Sequence, residues 1–389
     1  MLLTFKNTKK TNNIKVIDMF SYIMSQGAAG FTNVQNSNNE FITVELEKIT
    51  PYYKDYYNQH VRLLFNLLEQ EIDTFLATHP TFALSKKEFY TEFKIPKKKK
   101  DKNGKTRWRK LINPHPHLKA IQKKIAETLE NSGIIPHNAA HAFRTGRDYS
   151  TNAEQHKNNN HIINLDLKDF FDSITADIIK ENLMMHPAFN VEDRSHLIDK
   201  IILIATYKGT TPQGSPLSPY LSNIILVNFD YRIRQKLSES GQAIKYTRYA
   251  DDTTFSSKKS MDITKIIKTV EEILTIHYKN ELKINYEKTK KITPGRCFIT
   301  GVKLNQKHKL TVGWEKKKEL KLKLYNLEKQ ARLATHDIDV ANQIQQALGY
   351  IAFMNNVEPN YTHYLVHKSK YSSIITYLTN YLKQNEAFF

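Results

Sequence analysis

The segment KYTRYADDTTFSS, residues 245–257, constrains this chain more than any other stretch. β-Branched and aromatic residues flank two adjacent carboxylates, Asp251 and Asp252, a pattern that predicts two short strands joined by a turn with the acids at or beside it. Neighbouring side chains on a strand diverge, so the turn is what lets at least one of these acids reach a metal. Similar runs, HIINLDL (161–167) and RCFITGVKL (296–304), alternate with helical patterns such as LKAIQKKIAETLENSG (118–133) and SPYLSNIILVNFDYRIRQKL (218–237). The alternation predicts a mixed α/β domain.

Three stretches differ in character. Residues 1–84 read as an N-terminal extension, partly helical, with one amphipathic helix between Tyr57 and Leu76 (HVRLLFNLLEQEIDTFL). Residues 85–305 hold the α/β pattern, and residues 306–389 turn helical (LKLKLYNLEKQARL, VANQIQQALGYIAFM, SSIITYLTNYLKQ). No internal repeat is visible.

Composition narrows the partners. Lys plus Arg number 58 against 39 acidic residues, a formal charge of +19, which favours a polyanion. The 21 Tyr and 19 Phe supply flat faces for stacking on bases. The single cysteine, Cys297, excludes an intramolecular disulfide and a Cys-cluster zinc site, which fits a reducing, cytoplasmic setting. The N-terminus carries charges too early for a secretory signal, and no apolar run of membrane-spanning length occurs, so no membrane partner is expected.

In the second acidic segment, Asn164-Leu-Asp166-Leu-Lys-Asp169-Phe170-Phe171, an apolar strand delivers Asp166 at its end. Nucleotidyl transfer uses two hard cations roughly 3.5–4 Å apart, and carboxylates are proper ligands for Mg²⁺. Asp166 and Asp251 are the expected bridging pair.

These two segments resemble motifs A and C of reverse transcriptases, and between them TPQGSPLSPYLSN (211–223) is similar to motif B. The resemblance implies a right-hand polymerase with fingers and palm in 85–305 and a helical, RNA-binding thumb in 306–389. It implies two Mg²⁺ ions held by Asp166, Leu167, Asp251 and Asp252, and dNTP substrates. Motif B, with Gln213 and Gly214, would lie under the nascent base pair, glycine letting the backbone come close to template and nucleotide.

Upstream, IPKKKK…GKTRWRKLINP resembles the fingers motif that grips the triphosphate. Arg109 falls at the arginine position, where a planar fork holds two phosphate oxygens, and Lys97 or Lys98 would be the second cation. The run KKKKDKNGKTRWRK (97–110), centred on Asn103-Gly104, predicts a basic β-ribbon or loop. Downstream, ELKINYEKT (281–289) resembles motif D, with Lys288 as the residue that protonates the leaving pyrophosphate. Phe171 falls at the steric-gate position that excludes a ribose 2′ hydroxyl, with Asp169 and Phe170 beside it in the nucleotide site. Tyr249 of the YxDD box is expected against nucleic acid.

Two signatures narrow the family. Asn152-Ala-Glu-Gln-His156 matches the NAxxH motif of retron enzymes, and Ile299-Thr300-Gly301 resembles their VTG triplet. Asn152 and His156 are expected to organise the fingers–palm junction or hold structured RNA. Thr300, Gly301, Arg144 and Arg147 are expected at nucleic acid as well. The lysines of 316–332 either track phosphates or form a solvated face.

A retron enzyme implies a cognate noncoding RNA as template and primer, synthesis from an internal 2′ hydroxyl, a branched RNA–DNA product and a role in antiphage defence. No effector motif occurs in the sequence, so the effector is expected to be a separate protein. Two alternatives stay open at this point: a group II intron-like or other defence-associated reverse transcriptase, and a structured-RNA-binding protein with a decayed catalytic centre.

Overall fold

A computed structural model describes residues 2–7, 10–15, 31–35, 41–97, 104–190, 192–292, 297–305, 307–333 and 337–385. The chain divides into two compact units that interleave along the sequence. The first holds residues 1–144, 167–240 and 265–285, and the second 145–166, 241–264 and 286–389.

The first unit opens with two antiparallel strand pairs, β1 (Leu2–Asn7) with β2 (Lys10–Lys15) and β3 (Phe31–Gln35) with β4 (Phe41–Glu45). The helix Leu46–Thr78 follows, longer at its start than the apolar periodicity of 57–76 predicts. It buries Val61, Phe65, Leu68 and Ile72, spaced three and four apart, and packs on the helices Pro116–Asn131 and Ser195–Ala205. In sequence, the antiparallel ribbon β5 (Tyr90–Pro96) and β6 (Trp108–Pro114) precedes the helix Pro116–Asn131. Its connecting residues 98–103, including Lys98 and Asn103, lie outside the described residues.

The expected single helix at 218–237 is two, Leu217–Ile225 and Val227–Glu239, parting at Leu226. The first is buried from Leu217 to Ile225 except at Pro219, because Asn223 and Tyr220 find acceptors inside, on the carbonyls of Ala142 and Ile134.

The second unit contains the predicted hairpin. β7 (His161–Asp166), β8 (Lys245–Tyr249), β9 (Asp252–Ser257) and β10 (Lys290–Ile292) form one antiparallel sheet in the order β10-β7-β9-β8. A smaller sheet joins β11 (Cys297–Ile299), β12 (Val302–Leu304) and β13 (Leu310–Thr311). After the small sheet the unit is helical, through Trp314–Leu333, Ile338–Val357, Pro359–His367 and Ser372–Asn385.

One core runs through this unit, from Ile162 of β7 through Ile299 and Val302 to Leu324, Ile344 and Leu378 of the helices. Glu358 ties the helices to the small sheet, accepting from Thr311 Oγ1, the Val312 amide and Lys317 at 2.7–2.9 Å. Among the described residues no helix is long and apolar enough to cross a membrane.

Candidate active site

Antiparallel register sets the centre of the second unit. Asp166, last residue of β7, lies directly opposite Asp252, first residue of β9, and Tyr249 of β8 flanks Asp252 on the other side. Ala250 and Asp251 are therefore the whole turn, so the two adjacent acids fall one in the turn and one on the strand. Ala250 adopts φ 57°, a left-handed conformation that lets a two-residue connection follow the strand twist. Its carbonyl accepts from Arg248 Nη1 at 3.2 Å, and Arg248 is completely buried.

The acids are crowded. Asp166 is 4% exposed, and Asp252 forms a side-chain hydrogen bond with it. Burial, then the charges of Asp251 and Asp166, push the Asp252 carboxyl up to about 7, with Lys288 pulling the other way. Lys288 Nζ contacts both Asp166 oxygens at 2.7 and 2.8 Å. A cluster whose acids repel one another this strongly is chemistry suited to cations.

Among the described residues no three His, Cys, Asp or Glu side chains close into a preformed metal cage. A hard divalent ion such as Mg²⁺ takes carboxylate oxygens as ligands, with waters and substrate phosphates in its remaining positions. Asp166, Asp251 and Asp252 supply oxygen donors of the proper kind.

The retron-type signatures meet in this unit. Asp148 caps the helix Tyr149–Glu154 with a capping box, accepting from the amides of Ser150 and Thr151. Asn152 Nδ2 approaches Thr300 Oγ1 at 3.5 Å, and that hydroxyl donates to the Tyr149 carbonyl at 3.0 Å. Thr300 (φ 49°) and Gly301 (φ 86°) form the two-residue turn between β11 and β12.

His156 places its Nδ1 at 2.7 Å from Ser256 Oγ and its Nε2 at 2.7 Å from Thr247 Oγ1. Asn152 is 1% and His156 0% exposed; the His156 nitrogens face the two protein hydroxyls, while Asn152 Oδ1 is buried with no hydrogen-bond partner. Tyr249 is half-buried, and burial raises its phenol above the ordinary value. Arg147 is partly buried, which lowers its guanidinium.

In the first unit, Leu167 makes an isolated β-bridge with Ile284, and its side chain is buried, so a metal would find only its carbonyl. Asp169 takes φ 44°, turning the chain into the short helical turn Phe171–Ser173. The Phe170 ring is 4% exposed and packs in the core, so a nucleotide could meet this residue only through its main chain; Phe171 stays partly exposed. Thr211 Oγ1 donates to the Phe171 carbonyl at 2.8 Å, tying the start of the PQG loop to this turn.

Gly214 has φ 133°, and a Cβ there would stand 2.6 Å from the Ile112 carbonyl oxygen, while the Gln213 carbonyl accepts from the Ile112 amide at 2.8 Å. The close approach that demands glycine is thus to β6 of this chain itself, where the sequence suggested template and nucleotide.

Arg109 and Lys97 are exposed at the β5–β6 ribbon, Arg109 opposite Ile95. Arg144 Nη1 donates to the His137 carbonyl at 3.0 Å. Arg248, Thr247 and Ser256 escaped the sequence reading; they lie in the strands KYTRY and DTTFSS, whose polar residues give no sign of which ones are buried.

Residues 95–332 match the family of reverse transcriptases, RNA-dependent DNA polymerases, and the chain belongs to that family. Retron Ec83 reverse transcriptase of Escherichia coli is 29% identical over 291 residues, covering 73% of this chain and 88% of the relative. Retron Ec86 reverse transcriptase of Escherichia coli is 30% identical over 275 residues, 69% of this chain and 77% of the relative. Retron Se72 reverse transcriptase of Salmonella heidelberg is 28% identical, covering 69% and 68%. Within its family the chain is of the retron type, an RNA-directed DNA polymerase of mixed helix-and-sheet fold. Such an enzyme takes an RNA template, and the family works with divalent metal ions.

Proposed function

We propose that this enzyme copies a cognate structured noncoding RNA into single-stranded DNA, starting from an RNA 2′ hydroxyl and leaving a branched RNA–DNA product. The observation that carries the chemistry is the register pairing of Asp166 with Asp252 beside Asp251, an acidic cluster with Asp166 buried at its base and Lys288 partly offsetting its charge. Two Mg²⁺ ions, when bound by these acids, activate the attacking hydroxyl and offset charge on the leaving pyrophosphate.

In this reading Lys288 holds the proton given to the pyrophosphate. Arg109 and Lys97 bind the triphosphate, and Gln213 and Gly214 shape the PQG loop against the nascent pair. Phe171 bars a 2′ hydroxyl, so Phe171→Ala raises ribonucleotide incorporation, read by alkali sensitivity of the product. The thumb (306–389) binds the RNA, the segment 1–84 is an extension to the fingers and palm of 85–305, and Thr300, Gly301, Arg144, Arg147 and Tyr249 serve the nucleic-acid surface. The enzyme works in the cytoplasm with a separate effector protein in antiphage defence.

The test uses purified protein with its copurifying RNA, Mg²⁺ and dNTPs. Extension of DNA is expected, with Asp251→Asn plus Asp252→Asn reducing it to background while RNA binding survives. Persistent extension in that double variant removes the catalytic assignment. A 2′,5′ debranching enzyme is expected to release the DNA from the RNA; a product resistant to it refutes the 2′ start.

A further inference from the structure

Side-chain alternation puts a row of polar residues on one face of the β7–β9–β8 sheet. Asp252, Thr254 and Ser256 share that face along β9, Asp166 and Asn164 along β7, and Tyr249 and Thr247 along β8. His156 closes this row. Ser256 lies opposite Lys245, two residues along β8 from Thr247, so the ring spans the two hairpin strands diagonally, on the face that carries the acids.

We infer that Asn152 and His156 form one positioning device for the catalytic hairpin, His156 fixing the spacing of β8 and β9 and Asn152 anchoring the short helix that ends two residues before His156. This inference rests on the catalytic reading of Asp251 and Asp252 given above.

Three observations support it. The first is satisfaction: a neutral imidazole has one donor and one acceptor, and the two hydroxyls use both. Asn159 Nδ2 donates to Ser256 Oγ at 2.7 Å, leaving the serine proton for His156 Nδ1 and the Nε2 proton for Thr247. The second is reach: Thr247 precedes the Ala250-Asp251 turn by three residues and Ser256 follows Asp252 by four, so a slip at either hydroxyl is transmitted along a stiff strand to the acids.

The third is anchoring. The helix Tyr149–Glu154 is held at its start by the Asp148 box and along its side by Thr300, through Asn152 Nδ2 and the Tyr149 carbonyl. The two signatures, NAxxH and ITG, are about 150 residues apart in sequence and are one support in the structure. His156 acts through Thr247 and Ser256, so it is a positioning residue. Its burial leaves it no face for RNA.

The experiment is a coupling cycle in the full-length protein with its copurifying RNA: His156→Ala, Thr247→Val with Ser256→Ala, and all three together. Extension is measured at saturating RNA and Mg²⁺ across dNTP concentration, alongside RNA affinity. His156→Ala is expected to lower kcat by about tenfold to a hundredfold, the scale of a 1 Å misplacement, with KM for dNTP and RNA affinity unchanged. The triple variant is expected to lose no more than the larger single loss, because all remove one bridge. His156→Gln, which keeps a donor and an acceptor, is expected to restore much of kcat; it also serves if the alanine variant does not fold.

Additive losses, failure of His156→Gln to restore any kcat, or weaker RNA binding with kcat intact would each overturn the inference. If the cycle is additive while Asp251→Asn plus Asp252→Asn is inactive, only this inference fails. If that double variant is active, both fail.

Discussion

Two turns in the second unit span the same number of residues and are held in different ways. At Thr300-Gly301 both central residues have positive φ, the pattern of a type I′ hairpin, and glycine occupies the second place as that turn prefers. Its hydroxyl side chain reaches sideways to the Tyr149 carbonyl. At Ala250-Asp251 the first central residue alone is left-handed, and it is alanine, where glycine would be relaxed. Here the restraint comes through the main chain, from the buried Arg248 guanidinium to the Ala250 carbonyl. A turn that only connects strands follows local turn chemistry. The turn that presents acids departs from it and depends on a charged group buried behind it.

Changes at the two turns test this contrast, beyond the loss of extension expected for the paired acid variant. The largest stability effect is expected at Arg248→Met, which leaves a buried carbonyl without its donor and costs about 1–3 kcal/mol in denaturant unfolding. Extension should fall with it at temperatures where the protein remains folded. If stability and activity are both untouched, the turn holds itself and the contrast is lost.

Gly301→Ala is expected to cost about 1 kcal/mol, from backbone strain alone, since no atom lies within 4 Å of the added Cβ. Thermal melting checks it, and a larger loss would point to packing at that turn. The smallest effect, and the one of opposite sign, is expected at Ala250→Gly. Relief of the left-handed strain exceeds the added freedom of the unfolded chain by up to about 1 kcal/mol, so melting rises slightly. A lower melting point would show that the alanine methyl contributes contacts.

The β8–β9 hairpin was legible because its information is local: alternation gives the strands, and two acids between them give the turn. Asp166 was legible for the same reason, an apolar strand ending in a carboxylate. What was illegible depends on partners far along the chain. Gly214 meets Ile112, about a hundred residues upstream, and nothing near either residue encodes that approach. His156 is buried by Thr247 and Ser256, which look like ordinary strand residues until the sheet is assembled.

Phe170 and Phe171 show the limit most closely. They are adjacent and chemically identical, and only the turn at Asp169 decides that one enters the core and the other stays partly exposed. The helix Leu46–Thr78 begins ahead of its apolar stripe, since periodicity reports a packed face and says little about where the backbone starts to coil.

The sheet order β10-β7-β9-β8 has a consequence for how the site is lost. β7 and β9 are the interior strands, so the segment beginning at Asp252 is hydrogen-bonded to a neighbour on each side. Amides of this kind give up their protons to deuterium only when a large part of a unit opens, whereas edge strands and frayed helix ends exchange early. Thr254 of β9, flanked by Asn164 and Thr247 and two residues from Asp252, should therefore be among the slowest positions to exchange.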